Sequence, residues 1–164
     1  MRLPIIVICF MALTSSGVRA QEVCVIIAGY FIEAPSRFIS ERGEQISEGR
    51  WRSNLGFPNA SCSITRDGSE HGVGCLINAG RAADEVQEFY RVVEEDIDSC
   101  IRQLPNGDEY EKESREYETA KLKGAGTMWT YDNGSEIYSI YLDGRIYKSD
   151  GRLANYMSLK HRAY

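Results

Sequence analysis

Cysteine is the residue type in this 164-residue chain that carries the clearest chemical expectation, and five cysteines are present. Cys9 lies in an apolar N-terminal segment, and the other four are spread along the chain at Cys24, Cys62, Cys75 and Cys100. Cysteine sites for zinc usually contain closely spaced C-x-x-C pairs, and these cysteines form none. An even number of cysteines in an exported chain instead predicts two disulfides, with three possible connectivities.

A turn signal favours one of these connectivities. The Asp-Gly dipeptide at 67–68 is typical of a tight hairpin turn, and Cys62 and Cys75 lie almost equally far from it. In an antiparallel hairpin the two cysteines would lie nearly opposite each other. We therefore expect a Cys62–Cys75 bond, which leaves Cys24 to pair with Cys100, and we expect no metal or cofactor.

Candidate general acids and bases are few, and their positions argue against catalysis. The chain contains two histidines: His71, expected in a solvated turn, and His161, in the C-terminal tail. Neither position would hold an imidazole rigidly against a nucleophile, as a catalytic relay requires. The acidic run at 94–96 is expected on the solvated side of a helix. We assign no catalytic, cofactor-binding or metal-binding residue, and the sequence favours a protein that is not an enzyme.

Aromatic side chains near the C-terminus form the best candidate binding surface. They are Trp129, Tyr131, Tyr138, Tyr141 and Tyr147. In strands, alternation places Trp129 and Tyr131 on one face and Tyr138 and Tyr141 on opposite faces. Such side chains combine a flat apolar body with a polar tip, which suits contact with a sugar ring or a protein. The alternative is that tyrosine is simply a favourable strand residue on a half-buried surface.

The N-terminus has the features of a cleavable secretory signal peptide. A basic residue, Arg2, precedes the almost wholly apolar stretch 3–13, and small residues then lead to an expected cleavage between Ala20 and Gln21. A helix that spans a bilayer needs about 20 apolar residues, so a membrane anchor is the weaker alternative. We expect the mature protein to be exported, periplasmic or secreted, and not inserted in a membrane.

Removal of residues 1–20 leaves a single domain, 21–164, of ordinary size. The whole chain has a net charge of −5, and loss of the leader's two arginines makes it more acidic. No Lys/Arg cluster is long enough to follow a phosphate backbone, so nucleic acid and anionic lipid are poor candidate partners. Asn59 and Asn133 match the glycosylation acceptor pattern, which matters only in a eukaryotic secretory pathway.

Hydrophobic periodicity predicts the secondary structure. Residues 23–32 indicate a buried strand, with a buried helix as the alternative. Apolar positions at steps of three and four predict a long helix over 82–104. The other predictions are helical turns at 36–46, a loop at 48–59, hairpin strands at 61–65 and 73–78, a solvated linker at 108–123, and meander strands at 127–131, 136–142, 145–149 and 153–159.

Three turn dipeptides separate the meander strands: Asn-Gly at 133–134 and Asp-Gly at 143–144 and 150–151. Together the elements predict an α+β fold, in which a small antiparallel sheet (the hairpin plus the C-terminal meander) packs on one long helix and is braced by disulfides. No internal repeat is expected beyond this hairpin rhythm.

These features favour an exported, non-enzymatic binding module. An inhibitor, an immunity-type protein or an accessory protein of the periplasm or secreted space would fit, with a protein or glycan as partner. The alternative is a small envelope or secreted hydrolase whose catalytic residues the sequence does not identify.

Overall fold

A computed structural model describes residues 15–57, 60–79 and 83–164, which form two successive units of one α-helix and four strands each; a short 3-10 helix, Gly107–Glu109, also follows the second α-helix. The first unit contains α1 (Ser15–Glu33), β1 (Arg42–Ser47), β2 (Arg50–Ser53), β3 (Ser61–Asp67) and β4 (Glu70–Ala79). The second contains α2 (Ala83–Ile101), β5 (Glu111–Glu118), β6 (Leu122–Asp132), β7 (Glu136–Tyr147) and β8 (Leu153–Ala163). The order of elements is therefore repeated, contrary to the expectation of no internal repeat.

The eight strands form one antiparallel sheet in the order β1-β2-β3-β4-β8-β7-β6-β5. The last strands of the two units, β4 and β8, pair with each other. This pairing joins the two four-stranded meanders into one sheet. The predicted fold class, a small sheet packed on one long helix, is therefore wrong. The protein is dominated by an eight-stranded sheet, and two helices of similar length accompany it.

The overlooked strands lie at or near the edges of the sheet and are too polar to show an apolar alternation. β1 and β2 occupy segments predicted as helical turns and loop, and β5 (EKESREYE) occupies the predicted solvated linker. Charged side chains are common on edge strands because they discourage pairing with other molecules. The charge of β5 therefore reflects its position at the edge of the sheet.

The Asp-Gly dipeptide at 143–144 does not form the predicted turn, since β7 continues through it without interruption. Asp143 is 1% exposed. Gly144 faces the ring of Tyr90, where an added Cβ atom would lie 3.2 Å from the ring. Tertiary packing at these two residues thus outweighs the local turn preference.

The apolar segment 23–32 belongs to α1 and is not a strand. Val23, Ile26, Ile27 and Tyr30 are all buried, and their steps of one, three and four residues define one side of a helix. The helix alternative was therefore correct. Residues 1–14 of the predicted leader lie outside the described residues, and α1 runs across the expected cleavage position.

Both helices pack on the same side of the sheet and contact each other. We call this side the helix face; its buried side chains include Ile64, Val73, Ile140, Leu142 and Leu159. Helix α2 contributes its predicted apolar stripe to the same core, through Val93, Ile97 and Ile101 among others. The opposite side, which carries Leu76, Met128, Tyr141, Tyr147 and Tyr156, is called the open face.

Two disulfides brace the fold, with the pairing expected from the hairpin geometry. Cys24 of α1 is bonded to Cys100 of α2, and Cys62 of β3 to Cys75 of β4, where the register places the two residues directly opposite. Disulfides form and persist in oxidising compartments, so these bonds indicate an oxidising environment. Within the described ranges, neither helix is long and apolar enough to span a membrane.

Candidate functional site

The five aromatic residues predicted as a binding surface divide between the two faces of the sheet. Trp129, Tyr131 and Tyr138 lie on the helix face, and Tyr141 and Tyr147 lie on the open face. Trp129 is 2% exposed and Tyr138 8% exposed. The predicted alternation was therefore correct, but these residues do not form a single surface.

On the helix face, Trp129 is part of a polar network that joins α2 to the sheet. Its indole Nε1–H donates to Asp98 at 2.7 Å. Lys112 of β5 donates to Asp98 at 2.7 Å and lies 3.1 Å from Glu94, and Thr127 donates to Glu94 at 3.0 Å. The expectation of a fully solvated acidic run is thus wrong for Glu94, because this side of α2 faces β5 and β6.

The open face carries four tyrosines: Tyr117, Tyr141, Tyr147 and Tyr156. Three of these rings, those of Tyr117, Tyr141 and Tyr156, lie over glycines of neighbouring strands. An added Cβ on Gly126 would be 2.6 Å from the Tyr141 hydroxyl oxygen, and one on Gly124 would be 2.8 Å from that of Tyr117. Tyr156 covers Gly74 even more closely. Glycine provides space for these rings, so the surface is broad and aromatic rather than ridged.

Asp143, a buried residue of the open face, fixes the positions of two side chains of this aromatic surface. Its carboxylate accepts hydrogen bonds from the Tyr117 hydroxyl and from Arg145 Nε. The Arg145 guanidinium in turn lies 5.4 Å from the centre of the Tyr156 ring, within the range of a cation–π interaction. Burial raises the pKa of Tyr117, and the adjacent carboxylate raises it further, so Tyr117 remains a hydrogen-bond donor at neutral pH. Sequence reasoning missed Asp143 because it was assigned to a turn.

Charge is distributed unevenly between the two sides of the molecule. Helix α2, which packs on the helix face, is strongly acidic. Its single basic residue is Arg91, and its acidic residues are Asp84, Glu85, Glu88, Glu94, Glu95, Asp96 and Asp98. On strands β2 to β8 the open-face register positions hold equal numbers of basic and acidic residues. The basic residues are Arg50, Arg52, Arg115, Arg145, Lys160 and Arg162, and the acidic residues are Asp67, Glu70, Glu111, Glu113, Asp132 and Asp143.

The two histidines are buried, so the expectation of a solvated turn position is wrong for His71, and His161 lies within β8. The turn at Gly68 is tight, with φ of +57°, and β4 begins already at Glu70. His71 is therefore a strand residue, 3% exposed, and pairs directly with His161, which is 4% exposed, on β8. The His161 ring also packs against that of Tyr138, with ring centres 4.8 Å apart.

A cleft of about 590 Å³ lies between the N-terminal half of α2 and the ends of β5, β6 and β7. Val86, Tyr90 and Ile146 provide apolar walls, while Glu116 and Lys123 contribute charge. The cleft is suited to a small amphipathic molecule, but the arrangement of these groups specifies no reaction.

An exposed apolar surface lies on the outside of α1, where Val25 is 64% and Ile32 74% exposed.

Of the two glycosylation patterns, Asn59 lies outside the described residues, while Asn133 is exposed and its side chain accepts hydrogen bonds within its own turn.

Comparison with known proteins finds no matching family model, no similar curated protein and no similar solved structure.

Proposed function

We propose that this protein is an exported, non-enzymatic binding module that recognises another protein through the open face of its sheet. The observation that carries the proposal is the concentration of tyrosine and arginine on a sheet face that neither helix covers. Tyrosine and arginine are the residue types that most often contribute large binding energies at protein interfaces.

The open face has the rigidity that tight recognition requires. Tyr117 and Arg145 are both held by Asp143, and Arg145 lies against Tyr156. Because these side chains are already ordered before binding, less conformational entropy is lost when a partner covers them. Leu76 and Met128, which are 41% and 38% exposed, add apolar contact area on the same face.

Charge distinguishes the open face from α2. Basic and acidic residues are equal in number on the open face of β2 to β8, and Arg145, Lys160 and Arg162 are paired with Asp143 or Glu70, whereas α2 is strongly acidic. Electrostatic repulsion would therefore keep an acidic partner away from α2 but not from the open face.

The alternative of a small hydrolase gains no support from the acidic groups described. The neighbouring carboxylates Glu94 and Asp98 are joined by one lysine and also accept hydrogen bonds from Thr127 and Trp129. These contacts explain both carboxylates as a link between α2 and the sheet.

Site-specific photo-crosslinking tests the proposal. A photoreactive amino acid is placed at Leu76 or Met128 on the open face and, in matched variants, at Val25 or Ile32 on the exposed side of α1. All four replace exposed apolar side chains. After incubation with envelope and secreted proteins from the source organism, we expect one discrete protein adduct from the two open-face positions and none from the α1 positions.

The adduct must also disappear when Arg145→Glu is added to the open-face variants, since this change removes the contacts with Asp143 and Tyr156 that order the surface. An adduct that forms only from Val25 or Ile32, or that persists unchanged with Arg145→Glu, would show that the open face is not the recognition surface.

A further inference from the structure

An arginine cluster lies on the helix face, at the opposite side of the sheet from the proposed recognition surface. It begins in the loop that follows α1, where Arg37 and Phe38 both have left-handed backbone conformations, with φ of 60° and 56°. Phe38 is completely buried and fixes this loop to the core. Arg42, at the start of β1, donates from Nη2 to the backbone oxygen of Arg37 at 3.1 Å.

The sheet brings a third arginine to the same place. The Arg42 guanidinium lies 4.1 Å from the centre of the Trp51 ring. Trp51 pairs with Ile64, and Arg66 follows two positions later on the same face of β3. Arg66 in turn pairs directly with the buried His71 on β4. Basic residues from the loop, from β1 and from β3 therefore lie on the same side of the sheet as His71 of β4.

Negatively charged partners of these arginines are absent from the part of the chain that the structure describes. Among the described residues, no carboxylate forms an ion pair with Arg37, Arg42 or Arg66. Within the same ranges, Arg42 Nε and His71 Nδ1 are both buried and have no hydrogen-bond partner. Buried polar atoms are usually paired, because leaving one unpaired costs free energy.

Positive charge is concentrated around His71. Burial lowers the pKa of His71, and the charges of Arg37, Arg42 and Arg66 lower it further, as does His161 from β8. The pKa of Arg42 is likewise lowered by burial and then by the charges of its two arginine neighbours.

Other groups near the histidine pair do not neutralise this charge. Tyr30 of α1 donates its hydroxyl proton to the backbone oxygen of Lys160, and Glu136 of β7 lies 3.4 Å from His161 Nε2. Glu136 therefore contacts His161 from β7, which lies across β8 from the strands that carry the arginines. Glu70, at the start of β4, is paired with Lys160 and Arg162.

We propose that Arg37, Arg42 and Arg66, together with the buried His71, bind an oxyanion of the phosphate or carboxylate class. Guanidinium groups match the paired oxygen atoms of both anions with two parallel hydrogen bonds. An anion here would offset part of the three positive charges and offer an acceptor to Arg42 Nε, which is buried without a hydrogen-bond partner among the described residues. The site is independent of the proposed open-face recognition.

Proton NMR provides a direct test because the chain contains only two histidines. The Cε1–H resonance of His71, assigned with His71→Gln, is titrated with pH in sodium chloride, in inorganic phosphate and in succinate, all at equal ionic strength. An anion beside the imidazole stabilises its protonated form, so we expect the pKa of His71 to rise by about one pH unit in phosphate or succinate.

Binding is then measured by titrating each anion at constant pH. We expect saturation, and an affinity about tenfold lower in Arg66→Gln, since one charge-assisted contact is lost. Arg102→Gln, which removes an exposed arginine at the end of α2, has the same charge change and should bind as the wild type does. A response to phosphate alone or to succinate alone assigns the class of anion.

Two results would overturn the proposal. One is a His71 pKa that is the same in chloride, phosphate and succinate. The other is a response that does not saturate, or that is equally strong in Arg66→Gln and Arg102→Gln.

Discussion

The hydroxyl of Tyr141 lies against Gly126 on the neighbouring strand, so closely that a Cβ atom on Gly126 would be 2.6 Å from the hydroxyl oxygen. The ring therefore lies along the sheet instead of projecting from it. This arrangement, repeated by Tyr117 over Gly124 and by Tyr156 over Gly74, turns a row of strand tyrosines into a flat surface. Glycine is needed at these positions for the shape of the surface.

Gly126→Ala is expected to lift the Tyr141 ring and to weaken binding of the open-face partner about tenfold, because a preorganised contact is lost. The free energy of unfolding should fall by about 1 kcal/mol or less, since the group displaced is the free end of a side chain on an exposed face. Partner affinity by calorimetry and chemical denaturation measure the two effects. Gly134→Ala is the comparison for affinity alone: no atom lies within 4 Å of a Cβ there, but its φ of +82° strains alanine and lowers stability. An equal loss of affinity in both variants would contradict this role.

Asp98→Ala is expected to lower the free energy of unfolding by about 2 kcal/mol, because the buried Trp129 Nε1–H loses its acceptor. Chemical denaturation gives the stability, and a shifted Trp129 fluorescence spectrum should accompany the change. Glu95→Ala, which removes an exposed carboxylate from the same helix, should change stability by less than about 0.5 kcal/mol. Equal effects of the two substitutions would show that the link between Asp98 and Trp129 does not stabilise the protein.

The two disulfides are expected to contribute unequally to stability. The Cys24–Cys100 bond closes a separation of 76 residues and Cys62–Cys75 one of 13 residues. Because a longer loop loses more entropy in the unfolded chain, their contributions should be about 4.5 and about 3 kcal/mol. Denaturation of the double alanine variants of each pair measures both values, and a larger loss for the hairpin pair would contradict the expectation.

Stability should also depend on pH through His71. Burial lowers its pKa below the ordinary value of 6.5, so the unfolded chain takes up a proton at a higher pH than the folded protein does. The free energy of unfolding should therefore fall as the pH decreases below 6.5, by at most about 1.4 kcal/mol per pH unit. Glu70 has a lowered pKa and loses its contribution only near and below 4.5. Denaturation between pH 7 and pH 5 should show the slope in the wild type and not in His71→Gln.

The elements with strong local patterns were predictable from the sequence. The stripe of α2 and the hairpin around Asp67 and Gly68 have unambiguous periodicity and turn chemistry, and the hairpin also predicts the Cys62–Cys75 bond. Edge strands β1 and β5 were not predictable, because their polar side chains reflect solvent on both faces and carry no apolar alternation. The open-face site was found only in part, since Asp143 was assigned to a turn that tertiary packing prevents.

The central claim, recognition through the open face, is tested most directly by the affinity of the cross-linked partner for matched variants. The dissociation constant is measured by calorimetry for the wild type, for the double variant Tyr141→Ala/Tyr156→Ala, and for Ile32→Ala as a control on α1. Loss of two tyrosine side chains that the partner is proposed to cover should raise the dissociation constant at least about a hundredfold. Ile32→Ala should leave the dissociation constant within about twofold of the wild-type value. Unchanged affinity in the folded double variant, or a loss confined to Ile32→Ala, would contradict the account.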